Sequence, residues 1–419
     1  MEFRSVRGFH DILPEEITYW QRLESFSKRI LEAHGFKELR LPVLEMASLF
    51  KRGIGEETDI VSKEMYLFSD SKGRELCLRP EATSQIVRAY IQNRMDLKEP
   101  ISKLYLIGPM FRHERPQKGR YRQFHQIDVE LIGDRGPISD AEILILLWRI
   151  LQGLGMGDLV LTINSLGCEV CRPHFKSHLR EFLRDKREGL CPDCQRRSET
   201  NPLRVFDCKE ARCKASLEGA PNIDESWCGD CTDHLRAILD LLSEAGIPYT
   251  LDTRLMRGLD YYTRTAFEVK TKVLGAQDAV AGGGRYDRLI STLGGPDRPS
   301  IGFAIGMERA VELLKLNEAL RPEGPKVFIA SLGFRARLFA FKLMMELRAR
   351  ELKTEMAYAE SSLKSQMRQA TGYRAEYVLI IGDEELEGGT VTLKEMNSGE
   401  QTQVRISDLI ERLIGPKRG

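Results

Sequence analysis

The chain has 419 residues, beyond the size at which a single hydrophobic core usually stops growing, so two or three domains are expected. Hydrophobic residues at 42% beside charged residues at 30% are the composition of a soluble globular protein. The formal net charge of +1 excludes a globally basic nucleic-acid binder, so any RNA contact has to be local.

The first residues, Met1-Glu-Phe-Arg-Ser-Val-Arg7, lack the apolar run of a signal peptide, and no later stretch reaches the ~18 apolar residues of a membrane span. A cytoplasmic protein without membrane contact is expected. An amphipathic helical pattern from Ile17 to His34 leads into strand patterns at Lys103 to Arg112 and Gln123 to Ile132. Ser139 with Glu142 three residues on reads as a capping box that opens an apolar helix to about Leu151. From Cys168 to about Cys231, charge, Pro and Cys replace apolar periodicity, as in an inserted domain. Strand patterns resume at Thr250 to Val269, Asp278 to Gly283 and Ile301 to Gly306, followed by a helix from Met307 to Leu316. Leu320-Arg-Pro-Glu-Gly-Pro325 has the composition of a linker. Beyond it come a strand (Val327 to Ala330), a helix (Ala336 to Leu352), a strand, a helix, a strand (Tyr377 to Ile381), a hairpin and a last helix, the alternation of a small α/β domain. The expected boundaries are 1–165, 166–245, 246–320 and 325–419.

The densest chemical signal runs from Met110 to Glu130. Two strands flank a loop with Pro116 and Gly119 that concentrates Arg112, Arg115, Lys118, Arg120 and Arg122. Such crowding is either a solvated basic hairpin or a site for anions. Strand alternation favours the second. Phe124, Gln126, Asp128 and Glu130 share one face, while Ile127, Val129 and Leu131 share the other and belong to a core. An aromatic ring, an amide and carboxylates beside arginines suit a nucleotide and a charged ligand.

Phe111-Arg-His-Glu-Arg115 through Glu130 resembles motif 2 of class II aminoacyl-tRNA synthetases in its histidyl form. Leu255-Met-Arg-Gly-Leu-Asp-Tyr-Tyr262 through Glu268 and Ala281-Gly-Gly-Gly-Arg-Tyr-Asp287 resemble two histidyl-specific segments. Gly35 to Glu45 is similar to the dimer-forming motif 1 and Gly302 to Arg309 to motif 3, so the resemblance covers most of the chain in the expected order.

The resemblance implies an α+β fold: a class II catalytic core with an antiparallel sheet and flanking helices, an inserted Cys-rich and mostly helical domain, and a C-terminal α/β anticodon-binding domain. It implies a homodimeric ligase that activates L-histidine with ATP and Mg²⁺ and passes it to histidine tRNA. By the same resemblance Arg112 holds the α-phosphate, Arg309 the γ-phosphate and Phe124 the adenine, with Arg120 and Gly302 also at the nucleotide. Arg257 contacts the α-phosphate and the carboxylate and is catalytic along with Arg112 and Arg309. Glu81, Thr83, Gln126, Glu130, Tyr261, Tyr262 and Tyr286 surround histidine, whose ammonium and imidazole call for carboxylates and hydroxyls. Arg115 and Gln117 face the acceptor end of tRNA.

Each arginine has a plainer reading. Arg309 stands in the first turn of its helix, where the macrodipole disfavours a cation unless an anion binds, but it could pair with Glu308. Arg257 could pair with Asp260. Pro80 is expected in the first turn of a helix that presents Glu81 and Thr83.

Cys168, Cys171, Cys191 and Cys194 have the spacing of a four-cysteine zinc site, and Cys208, Cys213, Cys228 and Cys231 nearly repeat it. Structural zinc and buried thiols packing as small hydrophobes both remain open. Cys77 has no partner in either case. Two rival functions are a non-catalytic regulatory paralogue from histidine biosynthesis and a zinc-ribbon nucleic-acid module. The first lacks a C-terminal domain and loses catalytic positions, whereas this chain keeps both. The second leaves the histidyl-specific segments unexplained.

Overall fold

The structure, a computed structural model, describes residues 3–275, 278–316 and 324–414. Its contacts divide the chain into two compact units, Met1–Arg321 and Pro322–Gly419. The expected linker lies, from Leu320 to Glu323, outside the described residues.

The first unit is built on an eight-stranded sheet. Its strands run in the order Lys37–Glu38, Ser102–Phe111, Gln123–Ile132, Ser300–Gly306, Ala279–Arg285, Thr263–Thr271, Leu159–Ser165 and Tyr249–Leu251. Neighbours are antiparallel except for the two short edge strands, each of which pairs in parallel. One sheet face contributes Ile127, Val129, Leu131, Phe267, Val269, Ile301, Phe303 and Ile305 to the main core. The helix Pro137–Gly153 packs there with its Ile143, Leu144, Leu147 and Leu151 inaccessible to solvent. Burying each such side chain contributes about 1.5–3 kcal/mol.

That helix starts earlier than its capping-box pattern predicts. Gly136 is the N-cap and Pro137 occupies the first turn, which suits a residue lacking an N–H. The Ser139 hydroxyl donates to the Gly136 carbonyl at 2.9 Å instead of capping, and Glu142 takes an ammonium bond from Lys103 at 2.5 Å. The strand expected from Thr250 to Val269 is two strands, Tyr249–Leu251 and Thr263–Thr271, separated by an irregular loop. The helix expected to reach Leu316 ends at Leu314.

A fully buried ion pair ties these layers together. Arg285 and Asp140 are both without solvent exposure. Arg285 Nε donates to Asp140 Oδ1 at 3.0 Å, and its other nitrogens donate to the Asp134 carbonyl at 2.9 Å, Ser139 Oγ at 3.0 Å and Asp287 Oδ1 at 3.0 Å. Asp140 also meets His234 Nε2 at 3.0 Å and accepts from the Thr265 hydroxyl. Burial opposes its ionisation, but Arg285 and His234 hold its carboxyl below the usual range.

The Cys-rich segment is mostly helical, with helices Cys171–Asp185, Pro192–Thr200 and Ala211–Ser216. Phe175, Leu179, Leu183, Val205 and Ile223 form its core, which it shares with Met256, Tyr262 and Ala266 of the sheet side.

The second unit has a five-stranded sheet in the order Thr354–Met356, Val327–Leu332, Tyr377–Gly382, Thr390–Glu395 and Gln401–Arg405. The first three strands are parallel and the hairpin joins antiparallel. Helices cover both faces. Ile329 and Leu379 pack with Leu343 and Leu347 of Phe334–Ala349, while Phe328 and Val378 pack with Ala370 of Leu363–Gly372. The small α/β pattern read from the sequence is present, with the first helix shifted from the expected Ala336 to Leu352.

Removing one partner of a buried pair strands the other charge, at a cost of about 3–5 kcal/mol. The Asp140→Ala variant is therefore expected to unfold at clearly lower denaturant concentration. The chain's three tryptophans, Trp20, Trp148 and Trp227, all lie in the first unit and report on it by fluorescence.

Candidate active site

The polar face of the central strands opens into a cavity of about 330 Å³. It is lined by Glu81, Thr83, Arg112, Arg120, Phe124, Gln126, Glu130, Arg257, Tyr261, Tyr262, Tyr286, Gly302 and Arg309, all the residues that the resemblance implies for nucleotide and histidine. The strand Gln123–Ile132 supplies its floor, because alternate residues face opposite sides. Phe124 and Glu130 are six residues apart, so about 20 Å of strand separates the two ends of the site.

At one end stands an acidic, aromatic group. Glu130 accepts from Thr83 Oγ1 at 2.7 Å and from the Tyr286 hydroxyl at 2.5 Å. Burial pushes its carboxyl up to about 8 despite those donors. Gly302 lies opposite Glu130 in the antiparallel register, and a Cβ there would sit 1.7 Å from Glu130 Oε2, so only glycine leaves room for the carboxylate. Glu81 accepts the backbone N–H groups of Thr83 at 2.7 Å and Ser84 at 2.9 Å. The helix it caps is Thr83–Gln92, so Pro80 precedes the helix and does not occupy its first turn as expected. Burial raises Glu81 as well.

At the other end stand the cations. The Arg112 guanidinium lies 5.2 Å from the Phe124 ring centroid, and its Nε donates to the Pro80 carbonyl at 2.9 Å. Arg309 is in the first turn of Met307–Leu314 and donates to the carbonyls of Gly119 at 3.1 Å and Ala279 at 2.5 Å. Burial and the nearby Arg120 make its proton easier to lose. Its proposed partner Glu308 is engaged elsewhere, accepting from the His125 N–H at 2.8 Å and facing His125 Nδ1 at 3.0 Å. Arg120 pairs with Glu114.

Arg257 stands on the irregular loop. Its Nη1 donates to Glu268 Oε1 at 2.5 Å, and its guanidinium lies 5.8 Å from the Tyr262 ring centroid. The pairing with Asp260 that the sequence allowed does not form; Asp260 Oδ1 accepts from Asn201 at 2.7 Å. Burial works against the charge on Arg257, but Tyr262 and Glu268 raise its hold on the proton. A Cβ on Gly282 would sit 2.5 Å from Arg257 Nη1, while one on Gly283 would meet the Gly302 carbonyl at 2.0 Å and one on Gly284 the Thr265 carbonyl at 2.6 Å, so each of the three glycines makes room for a different neighbour.

One feature was placed on the right face without a role, and a second escaped the sequence reading. Asp128 lines the cavity with Oδ2 buried and without a hydrogen-bond partner, its carboxyl well above the usual range through burial and the neighbouring Glu130 and Glu81. Its strand parity with Gln126 and Glu130 was a sufficient signal. The Glu268 partner of Arg257 carried none, because the pairing needs the loop conformation. Buried atoms without partners, Gln126 Oε1, Asp128 Oδ2 and Arg257 Nε, mark unmet polar capacity at the site. Arg115 and Gln117 are exposed on the hairpin loop and do not line the cavity.

The cysteines group differently from their order in the sequence. Cys168, Cys171, Cys228 and Cys231 form one set and Cys191, Cys194, Cys208 and Cys213 another; within each the sulfurs lie within 4.8 Å of one another, close enough to share a metal ion. The expected sets of the first four and last four are incorrect, because the fold brings Cys228 and Cys231, at the start of the helix Gly229–Glu244, against Cys168 and Cys171 and leaves Cys191 and Cys194 to Cys208 and Cys213. Cys77 is buried, with its Sγ 3.8 Å from the Glu45 carbonyl.

A catalytic sheet with paired acidic and cationic ends, followed by a separate α/β unit, is the architecture of an aminoacyl-tRNA ligase. Residues 8–310 match the family model of histidyl-tRNA synthetase and residues 326–415 that of an anticodon binding domain. A histidine–tRNA ligase from Desulfatibacillum aliphaticivorans is 50% identical over 408 residues, 97% of either chain. One from Syntrophotalea carbinolica is 46% identical over 419 residues, the whole of both. The crystal structure of apo S. aureus histidyl-tRNA synthetase superposes with a TM-score of 0.81 at 34% identity, covering 99% of this chain and 100% of that one. The chain belongs to the histidyl-tRNA synthetase family. Full-length similarity to ligases, C-terminal unit included, does not favour the regulatory paralogue.

Because the folded Glu130 holds its proton up to about 8 against an ordinary 4.5, its contribution to stability is full below pH 4.5 and is lost as pH rises to about 8. The ligand-free Glu130→Gln variant is expected to lose less thermal stability than the parent across that window. An unchanged pH profile would contradict the assignment.

Proposed function

We propose that the chain activates L-histidine with ATP, releasing pyrophosphate, and then transfers histidine from the adenylate to the 3′ end of histidine tRNA. The observation that carries this reading is the single strand face that runs from the buried carboxyl of Glu130 to Phe124, beside the Arg112 guanidinium. A zwitterionic amino acid with an imidazole fits the first end, and a nucleotide polyphosphate fits the second.

In this reading Glu81, Thr83, Gln126, Glu130, Tyr261, Tyr262 and Tyr286 hold the ammonium and imidazole. Proton-bearing carboxyls there ionise when a cation replaces the lost water. Phe124 takes the adenine, Arg112 the α-phosphate, and Arg309 with Arg120 the distal phosphates; Gly302 leaves the floor open beside Glu130. Arg309 also resolves the conflict with its helix dipole when an anion binds. A carboxylate oxygen of histidine attacks the α-phosphorus, the bond to the bridging oxygen breaks, and pyrophosphate leaves. Arg257 stabilises the charge that gathers on the α-phosphoryl oxygens. Mg²⁺ bound to the substrate ATP would offset charge on its phosphates. A terminal ribose hydroxyl of tRNA then attacks the histidyl carbonyl and AMP departs, with Arg115 and Gln117 positioned on the hairpin to meet the acceptor end. Residues 325–419 would engage the anticodon, and the segment 166–245 acts as an insert between core parts 1–165 and 246–320.

A homodimer is part of the proposal. Leu44, Met46 and Phe68 are exposed and share one face of the small sheet Leu44–Met46, Glu75–Leu78 and Leu67–Ser69, an apolar surface that a second copy would cover. No helix among the described residues is long and apolar enough to cross a membrane, and a cytoplasmic location is proposed.

Histidine-dependent exchange of pyrophosphate into ATP tests activation directly; folded protein without exchange would sink the reading. Arg257→Ala is expected to lower that rate by about 10²–10³-fold with the fold retained. Light scattering should find a dimer, and an active monomer would contradict the proposed interface.

A further inference from the structure

Eight of the nine cysteines fall into the two sets of four, and all are free thiols. The sulfur separations are 3.6 Å for Cys168 and Cys171, and 3.9 Å for Cys168 with Cys228, Cys171 with Cys231 and Cys191 with Cys208. A tetrahedron with metal–sulfur bonds of about 2.3 Å has edges of about 3.8 Å. Disulfide sulfurs would be about 2.05 Å apart, and hydrophobic packing of thiols has no reason to converge four of them twice. The sets are also too compact to enclose a multi-iron cluster.

Donors already aim at the sulfurs. The N–H of Cys228 points to Cys171 Sγ at 3.0 Å, that of Cys191 to Cys213 Sγ at 3.1 Å and that of Cys194 to Cys191 Sγ at 3.4 Å. Such bonds favour thiolate over thiol and form the outer shell of a thiolate–metal site. Tetrahedral soft ligands at this spacing select a zinc-type ion.

The placement of the two sets gives them a purpose. The first joins the start of the Cys-rich segment to the start of the helix Gly229–Glu244, whose Leu235, Ile238 and Leu242 are anchored in the main core. Arg172, next to Cys171, donates to the Tyr262 carbonyl at 2.5 Å and the Asp260 carbonyl at 3.3 Å. The second set brackets Asn201 and Arg204. Asn201 donates to Asp260 Oδ1 at 2.7 Å and Arg204 to the Gly258 carbonyl at 3.0 Å. The segment therefore grips the loop that carries Arg257 and Tyr261 at Gly258, Asp260 and Tyr262.

We propose that each set binds one Zn²⁺ through four thiolates, and that the two ions hold the Cys-rich segment in the form that positions this loop for the amino-acid substrate. Binding displaces the remaining thiol protons to solvent. The positioning half rests on the reading of the loop as a histidine site; the metal half does not.

Metal analysis of the full-length protein, purified without chelator from zinc-supplemented cells, is expected to find about two zinc ions per chain. Cobalt substituted for zinc should show thiolate charge-transfer and tetrahedral d–d absorption. Cys191→Ser should lose one ion and raise the KM for histidine about 10-fold in pyrophosphate exchange, with the KM for ATP little changed. Asn201→Ala should keep both ions and still raise the KM for histidine, which separates positioning from loss of fold. Folded protein without zinc, or with iron or disulfides in its place, overturns the metal sites even if exchange is normal. Two ions in the parent, with the KM for histidine unchanged in both variants, overturns the positioning role. Zinc-loaded parent protein without any exchange overturns the histidine reading and leaves the metal sites standing.

Discussion

A buried guanidinium must be surrounded by acceptors, and Arg285 meets that demand in a way that organises the first unit. Its carboxylate partner Asp140 sits in the first turn of Pro137–Gly153, and Asp140 in turn holds His234 of Gly229–Glu244 and Thr265 of the neighbouring strand. Two helices and two strands are thereby registered at one point inside the core. The next residue, Tyr286, then has its hydroxyl at Glu130. An ion pair of this kind adds little net stability compared with apolar packing, but it penalises every arrangement that leaves a charge unpaired.

The same low dielectric shapes the site. Asp128 and Glu130 are buried on one strand face with Glu81 beside them in the cavity, and each has a raised carboxyl pKa because ionisation without water is costly. The cost is sustained by the apolar opposite face of the same strand, where Ile127, Val129 and Leu131 lock into the main core. A strand cannot twist one set of residues out of the cavity without moving the other set out of the core. The cavity is therefore preorganised, and the polar atoms without partners are the capacity a ligand would use.

The irregular loop between Tyr249–Leu251 and Thr263–Thr271 has no sheet partner of its own, so its conformation comes from neighbours. Glu268 fixes the head of Arg257, Gly282 makes room for it, and Asn201, Arg204 and Arg172 hold the backbone. The most specialised residues of the site thus depend on a segment whose composition looks least like a folded core.

Much of this was readable from local pattern. The two faces of Gln123–Ile132 follow from strand alternation, the C-terminal alternation of strands and helices from hydrophobic periodicity, and the members of the cavity from motifs that match the histidyl family. Asp128 was placed on that polar face by the same parity but given no role. What the sequence could not carry were choices between partners. Along the chain Asp260 is the near carboxylate for Arg257, and only the loop's path gives it Glu268 instead. Ser139 and Glu142 matched a capping box, yet Gly136 and Pro137 begin the helix because Lys103 and the buried Arg285 claim those side chains. The eight cysteines announced two sets of four, but spacing pairs neighbours along the chain, and the fold returns Cys228 and Cys231 to Cys168 and Cys171. Local order is a property of adjacent residues and is written in the sequence; pairing across distance is decided by which groups the closed core brings together.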